Sequence, residues 1–185
     1  MLKMRDLQEA PVLYELIKHP EVFPYVRHKA YSSEEFLFIT KQTMEAEDNG
    51  ELVSRTILDE YYHPIGTISL FDIQDGYGFL ATWIGQPYFG KGYNKRAKEQ
   101  FFDELFLTHN MNGVFMKVRK TNSRSLKAVV KLPYVTIANS TYPEVYQEIN
   151  KQEEVYDLFL ISKDHYVSYQ TFANTEQQHT EEEVG

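Results

Sequence analysis

The chain has 185 residues, a formal net charge of −8 at pH 7, 42% hydrophobic residues and 15% aromatic residues, a composition that excludes extensive disorder. It has no cysteine, so disulfides, thiolate metal sites and cysteine nucleophiles are excluded together, and a cytoplasmic location is expected. No apolar run approaches the ~20 residues that a membrane span needs, and neither a membrane nor a metal is expected.

Two helices are predicted in the first 50 residues. The apolar spacing of "LQEAPVLYELIKHP" predicts the first, which stops at Pro20. Ser32 or Ser33 is a suitable N-cap for the second helix, and Glu35 stands three residues after Ser32 as in a capping box. Gly50 is expected to end this helix.

Residues 52–84 predict a meander of three antiparallel strands, "ELVSRTIL", "PIGTISLFDI" and "GYGFLATWIG", which are rich in β-branched and alternating apolar residues. The segment "YNKRAKEQFFDELFLTH" is predicted to be helical because Tyr93, Ala97, Phe101 and Leu105 recur every four residues.

The last third predicts a strand at "GVFMKV", a helix at "TNSRSLKAVVKL" capped by Thr121 or Asn122, and two strands at "YVTIA" and "VYDLFLIS", with a helix or loop between them. The fold class is therefore α/β (α+β), with a mixed, mostly antiparallel central sheet flanked by helices. We expect one domain in residues 1–172 and an acidic, flexible tail in residues 173–185.

Positive charge is concentrated in residues 91–131, which hold ten basic and three acidic residues, whereas the remainder has a net charge of −15. This segregation indicates a site for a small anion in an acidic protein and argues against nucleic-acid binding. Lys95, Arg96 and Lys98 lie together at a predicted helix start. Each positive charge there is expected to lower the stability of the helix by about 0.3–1 kcal/mol unless an anion binds. Solvent-screened cations on an ordinary turn are the alternative.

The loop "FGKG" before this helix is neither of two common phosphate motifs. A P-loop needs Ser or Thr after its Gly-Lys pair, but Lys91 is followed by Gly92, and a dinucleotide fingerprint needs a third glycine where Lys95 stands. Glycines between a strand and a helix still suit a phosphate, because they let main-chain N–H groups approach it closely.

"FGKGYN" after the strand "FLATWI", followed by "VRKTNSRSLKAVVKLPY", resembles the GCN5-related N-acetyltransferases (GNAT family), in particular the branch of ribosomal-protein N-terminal alanine and serine acetyltransferases. Gly90 and Gly92 match the later positions of the family loop Gln/Arg-x-x-Gly-x-Gly/Ala, but Pro87 replaces its Gln or Arg. Asn122 and Ser125 match the family pattern Asn-x-x-Ser/Ala, and "KLPY" stands where Lys-Leu-Gly-Phe is usual.

The resemblance covers roughly residues 3–170 and implies the acyl-CoA N-acyltransferase fold, with the sheet splayed at strands 4 and 5. It implies acetyl-CoA as cosubstrate and direct acetyl transfer to a primary amine, either a small molecule or a protein N-terminus. The diphosphate would lie on the amides from Gly90 to Asn94, and the pantetheine arm would pair with backbone near Trp83. The cofactor-binding residues implied are Trp83, Ile84, Phe89, Gly90, Lys91, Gly92, Tyr93, Asn94, Asn122 and Ser125.

The catalytic groups of the family are not matched. Phe79 stands where that branch often carries Glu on the fourth strand, and Val129 stands where many members carry a Tyr that protonates the thiolate. Ser125 is the remaining candidate for the general acid, or else it is a helix-surface or pantetheine-contacting hydroxyl. No base is assigned; the candidates near an acceptor cleft, each also explained as plain surface, are Glu34, Glu35, Asp72 and His28.

Three functions stay open from the sequence: an N-acetyltransferase, an acyl-CoA-binding sensor or interaction module with little catalysis, and an unrelated α/β domain whose loop binds nothing. Phe79 and Val129 are the main support for the second. A homodimer is an open expectation, because dimers are common in the resembled family.

Overall fold

The computed structural model describes the backbone of residues 1–182 and the side chains of residues 1–173. The chain forms two compact units, one spanning Met1–Asn110 and one that begins at Met111. The elements of the first unit are β1 (Leu2–Met4), α1 (Ala10–Ile17), α2 (Ser33–Asp48), β2 (Val53–Leu58), β3 (Pro64–Gln74), β4 (Tyr77–Ile84) and α3 (Tyr93–Asp103). Those of the second are β5 (Gly113–Arg119), α4 (Ser123–Val129), β6 (Thr136–Ile137), α5 (Pro143–Ile149), β7 (Tyr156–Ser162) and α6 (Lys163–Glu182).

The sheet of the first unit is an antiparallel meander in the order β1-β2-β3-β4, which confirms the three strands predicted in residues 52–84. The strand β1 was not predicted, because three residues are too few to show an alternating pattern. It is held at the edge by pairing with β2, with Leu2 opposite Ile57.

The register of these strands decides which side chains share a face. Thr56, Thr67 and Trp83 are direct neighbours on the face that meets α1, since the buried carboxylate of Glu9 accepts a hydrogen bond from Thr56 Oγ1 at 2.7 Å. Trp83 packs there against an apolar cluster formed by Ala10, Leu13, Ile17, Val22, Val26, Ala30 and Phe36. The opposite face carries Arg55 and Ile68.

The helix α2 begins with the predicted cap. The hydroxyl of Ser32 accepts a hydrogen bond from the Glu35 N–H at 3.1 Å, and the Glu35 carboxylate accepts one from the Tyr31 N–H at 2.6 Å. The helix ends at Asp48, and Gly50 follows in a left-handed conformation at φ +75°.

The stripe predicted for α3 is buried throughout at Tyr93, Ala97, Phe101 and Leu105. The helical segment is not uniform, because its last turn, Glu104–Thr108, widens into a π-helix. The side chains of Phe102 and Phe106 are also buried, as the widened stripe indicated.

The second unit has its own antiparallel sheet in the order β5-β7-β6, with Met116 opposite Phe159 and Thr136 opposite Leu160. The helix α6 runs to Glu182 and so continues into the segment predicted as a tail, whose flexibility stays a prediction. Residues 183–185 lie outside the described residues. None of the helices in residues 1–182 has the length and apolar character that a membrane crossing requires.

Candidate functional site: the loop between β4 and α3

The chain leaves β4 through a tight, ordered connection. The Gly85 N–H donates to the Ile65 carbonyl at 2.8 Å, which keeps the exit of β4 attached to β3. A short 3₁₀ turn, Gln86–Tyr88, follows, and the Phe89 N–H closes it on the Gln86 carbonyl at 3.1 Å. The backbone is therefore anchored up to Phe89, and the residues after it are placed by that anchor.

Gly90 and Gly92 both adopt left-handed conformations, at φ +75° and +80°. A Cβ atom at Gly90 would meet nothing within 4 Å, so glycine is needed there for its backbone angles and not for lack of space. Gly92 is the N-cap of α3 and has no side chain with which to cap the helix.

The main-chain N–H groups of residues 90–94 have no protein acceptor within the part of the chain that the structure describes. The first turn of a helix leaves its N–H groups unpaired, and this helix start has neither a capping side chain nor an acidic residue. The loop therefore presents consecutive donors that an anion can accept.

The cations near this helix start have different surroundings. Lys95 lies 3.8 Å from Glu99 in an exposed i,i+4 pair, and the Arg96 guanidinium lies 4.9 Å from the ring centre of Tyr93. Lys91 lies 5.6 Å from the ring centre of Tyr88. Burial lowers the pKa of Lys98 to about 8. Of these four cations, Lys95 alone forms an ion pair within the described residues, with Glu99. The start of the helix therefore keeps an excess of positive charge.

Tyr93, the first residue of α3, fastens the helix to the turn between β2 and β3. Its hydroxyl donates to the Glu60 carboxylate, and this hydrogen bond raises the pKa of Tyr93 to about 12. The turn is itself held by the buried Asp59, whose Oδ1 accepts from the N–H groups of Tyr61 at 2.9 Å and His63 at 2.8 Å. The position of the loop is thus set by two carboxylates on a neighbouring turn.

An open cleft of about 570 Å³ lies beside this contact, entirely within the first unit. Its lining comes from the start of the chain, the turn after β2 and the first residues of the loop and α3. The lining residues are Met1, Leu58, Asp59, Glu60, Tyr62, Lys91, Tyr93 and Arg96.

The remaining residues implied for the cofactor in the first unit have structural contacts. Trp83 and Phe89 pack against the apolar cluster next to α1, and Ile84 is buried opposite Gly66 at the end of β4. Gly66 has no room for a side chain, since a Cβ atom there would lie 2.2 Å from the Trp83 carbonyl oxygen. The end of β4 is therefore a rigid base for the loop.

Asn122 and Ser125 belong to the second unit, where a helix cap brings them together. The Asn122 Oδ1 accepts the Ser125 N–H at 3.1 Å and so caps α4, as the sequence predicts. This leaves the Nδ2 donor of Asn122 and the half-buried Ser125 hydroxyl as the groups that a ligand can use. Val129, where a Tyr is common in the family, is buried at the end of α4.

Several side chains considered as bases are already engaged. Asp72 accepts two hydrogen bonds from Arg27, at 2.7 and 2.9 Å, and Glu35 serves the cap of α2. Burial is the main cause that lowers the pKa of His28, whose ring contacts Phe71. Phe79 lies opposite Phe71 in the sheet. The described residues thus give no support for assigning a base among these groups.

Sequence reasoning missed Glu60, which it treated only as part of the "DEYYH" separator between two strands. The two tyrosines that follow it, Tyr61 and Tyr62, are 71% and 69% exposed. The contact of Glu60 with Tyr93 spans 33 positions and leaves no trace in local spacing.

A mixed α/β fold with a glycine-containing loop between a sheet strand and a helix is an arrangement shared by many enzymes and binding domains. The model of the acetyltransferase (GNAT) domain matches residues 2–134, which is most of the chain, and this protein belongs to that family. No curated protein gives a significant sequence match to the chain.

Solved structures agree in fold at low sequence identity. Apo FdhC, a nucleotide-linked sugar GNAT, superposes with a TM-score of 0.74 at 15% identity, covering 94% of this chain and 92% of that one. Spermidine N-acetyltransferase from Vibrio cholerae in complex with CoA and spermine gives 0.73 at 12% identity, covering 90% and 97%. Ribosomal-protein-S5-alanine acetyltransferase from Vibrio fischeri gives 0.69 at 16% identity, covering 89% and 93%. These likenesses confirm the acyl-CoA N-acyltransferase fold.

Proposed function

We propose that the protein transfers an acetyl group from acetyl-CoA directly to a primary amine, and that the loop of residues 90–94 holds the cofactor's diphosphate. The observation that carries this is the run of N–H groups in residues 90–94, which have no acceptor among the described residues and which include two left-handed glycines and the start of α3. A diphosphate accepts several such donors at once, and its charge offsets Lys91, Arg96 and the positive end of the helix.

Acetyl transfer to an amine needs little covalent help from a protein. The amine must arrive neutral, the thioester carbonyl must be polarised, and the departing thiolate must receive a proton. Ser125 is the proposed proton donor; the cap holds its N–H, and its hydroxyl has no hydrogen-bond partner among the described residues. Replacing it by alanine should lower kcat about 100-fold with little change in the affinity for acetyl-CoA. Unchanged kcat would refute that role.

The acceptor is proposed to be a cationic primary amine, a polyamine or a protein N-terminus. The net charge of −15 outside residues 91–131 supports this class, since it raises the local concentration of a cationic substrate. Proteins of similar fold include a spermidine acetyltransferase and a ribosomal-protein-alanine acetyltransferase. Thiol release from acetyl-CoA should be assayed with spermine, with a peptide that begins with alanine and with a neutral amino sugar. If the protein binds acetyl-CoA but none of these amines causes thiol release, it is a binding module.

The cofactor site is tested by calorimetry with acetyl-CoA on the wild type and on Gly92→Asp. The variant adds bulk and negative charge where the diphosphate is proposed, so the binding heat should disappear. Gly50→Asp is a matched control, because Gly50 has a similar φ of +75°, is exposed after α2, and also has space for a side chain. Equal binding by the two variants, or no heat with the wild type, would overturn the proposal.

A further inference from the structure

Arg5 follows the edge strand β1 and carries a buried nitrogen that has no protein acceptor. Its Nη1 donates to the hydroxyl of Ser54 on β2, at a long distance of 3.4 Å. Its Nε atom is buried and has no hydrogen-bond partner within the described residues. A buried donor without an acceptor lowers the stability of a folded protein, so a ligand that accepts a hydrogen bond here would stabilise the chain.

The two carboxylates that attract Arg5 electrostatically are both paired with other cations. Glu9 pairs with Lys3 at 2.7 Å, and Glu47 pairs at 2.6 Å with Arg55. Neither carboxylate forms an ion pair with Arg5 within the part of the chain that the structure describes. Burial lowers the pKa of Arg5 to about 10, and the attraction of these two carboxylates opposes this shift only in part. The guanidinium is therefore charged at neutral pH and incompletely compensated.

Two buried serines beside Arg5 add a further donor. The Oγ atoms of Ser54 and Ser69 lie 2.7 Å apart and share one hydrogen bond. Each hydroxyl carries one proton and only one proton is used between them, so the other has no acceptor within the described residues. Ser54, Ser69 and Ala81 are direct neighbours on β2, β3 and β4, so the side chains in this row are small. The cluster therefore combines a positive charge with surplus donors.

We infer that Arg5, Ser54 and Ser69 form a binding site for a small monovalent anion such as chloride. An anion accepts hydrogen bonds from several donors at once and also offsets the charge of the guanidinium, whereas a water molecule satisfies donors without offsetting the charge. The site lies where β1 pairs with β2, so a bound anion stabilises this edge of the sheet. None of its residues belongs to the loop of residues 90–94, and the inference is independent of the proposed acetyl transfer.

Thermal unfolding of the whole chain measures this binding without any cofactor. Sodium gluconate, whose anion is too large for the site, keeps the ionic strength constant while chloride is raised from zero to about 200 mM. The melting temperature of the wild type should rise by about 3–5 °C, as expected for an anion bound with a Kd of about 20 mM. Arg5→Met removes the charge and the donors while keeping a long side chain, and it should lose this rise.

Two further variants separate anion binding from a purely structural role of the arginine. Ser54→Ala removes one hydroxyl but keeps Arg5, and it should reduce the rise by about half. Arg27→Met is the matched control, because it removes an exposed arginine that is paired with Asp72 at 2.7 Å, and it should keep the full rise. The dependence of the melting temperature on chloride decides, and not its absolute value. A wild type that does not respond to chloride, or an Arg5→Met variant that responds like the wild type, overturns the inference.

Crystals grown with bromide in place of chloride locate the anion directly. Because bromide scatters anomalously, the wild type should show an anomalous peak within hydrogen-bonding distance of the Arg5 Nε and of a serine hydroxyl. Arg5→Met should show no peak at this place. The absence of a peak in the wild type, with an ordered water or a protein carboxylate bound to Arg5 instead, would mean that solvent or the protein itself satisfies the guanidinium, and the inference would fail.

Discussion

The Tyr93 hydroxyl donates a hydrogen bond to the Glu60 carboxylate and thereby joins the first residue of α3 to the turn between β2 and β3. The residue before Tyr93 is Gly92, whose N–H is among the donors proposed for the cofactor. The direction of these N–H donors therefore depends on the hydrogen bond between Tyr93 and Glu60, which lies within the protein and involves no ligand.

Removing either partner of this contact should loosen the loop. Tyr93→Phe and Glu60→Gln are each expected to raise the KM for acetyl-CoA about two- to tenfold with little change in kcat, because the donors lose their fixed direction. The double variant should be no worse than the worse single variant. Steady-state kinetics measures this, and fully additive effects would show that the two side chains act separately.

Gly90 and Gly66 should respond differently to alanine. Gly90→Ala should cost about 1–2 kcal/mol through its φ of +75° alone, since a Cβ there meets nothing. Gly66→Ala forces a Cβ to 2.2 Å from the Trp83 carbonyl oxygen and should cost about 3 kcal/mol or more. Urea denaturation compares the two, and the opposite order of stability would contradict the packing described at the end of β4.

Asn122 should have separable roles in folding and in binding. Asn122→Ala loses the cap of α4 and should cost about 1 kcal/mol, whereas Asn122→Asp keeps the capping oxygen and should be nearly neutral in stability. Both variants lose the Nδ2 donor, so both should raise the KM for acetyl-CoA. If the KM for acetyl-CoA rises only in the alanine variant, the role of Asn122 is to cap α4 and not to bind the cofactor.

Lys98 should make stability depend on pH. Burial lowers its pKa to about 8, below the ordinary value of 10.5, so between these values the unfolded chain binds more protons and stability rises with pH. Lys98→Met should therefore stabilise the protein by about 2 kcal/mol at pH 7, a figure reduced because the side chain is partly exposed. In urea titrations, the gain in the free energy of unfolding of Lys98→Met should fall by about half between pH 7 and pH 9.5. Lys95→Met, which changes an exposed lysine, is the control and should show no such dependence on pH.

Arg55 should be a strong determinant of stability in the first unit. This buried side chain donates to Glu47 on α2 at 2.6 Å and to Glu104 in the π-helical turn after α3. Arg55→Ala leaves two partly buried carboxylates unpaired and should cost about 3–5 kcal/mol. The triple variant Arg55→Met, Glu47→Gln, Glu104→Gln has no unpaired carboxylate and should regain most of the lost free energy of unfolding, measured by chemical denaturation. If the triple variant is as unstable as Arg55→Ala, the packing of the arginine side chain is its main contribution.

Local patterns were sufficient where the physics is local. The meander, the cap at Ser32, the stripe of α3 and the left-handed glycines of the loop follow from periodicities and turn chemistry within a few residues. The strand β1 and the helical course of α6 were missed. A three-residue edge strand shows no period, and the polar sequence after residue 173 has too weak an apolar pattern to indicate a helix.

What the sequence by itself determined was the fold class and a glycine-containing loop beside an excess of positive charge, because backbone angles and charge depend on residue type. Only the tertiary structure decided that Glu60 holds Tyr93, that Asp72 is paired with Arg27, and that Tyr62 stands at the lip of a cleft. The contacts of Glu60 with Tyr93 and of Asp72 with Arg27 join residues 33 and 45 positions apart, and such pairings are selected by the packing of whole elements.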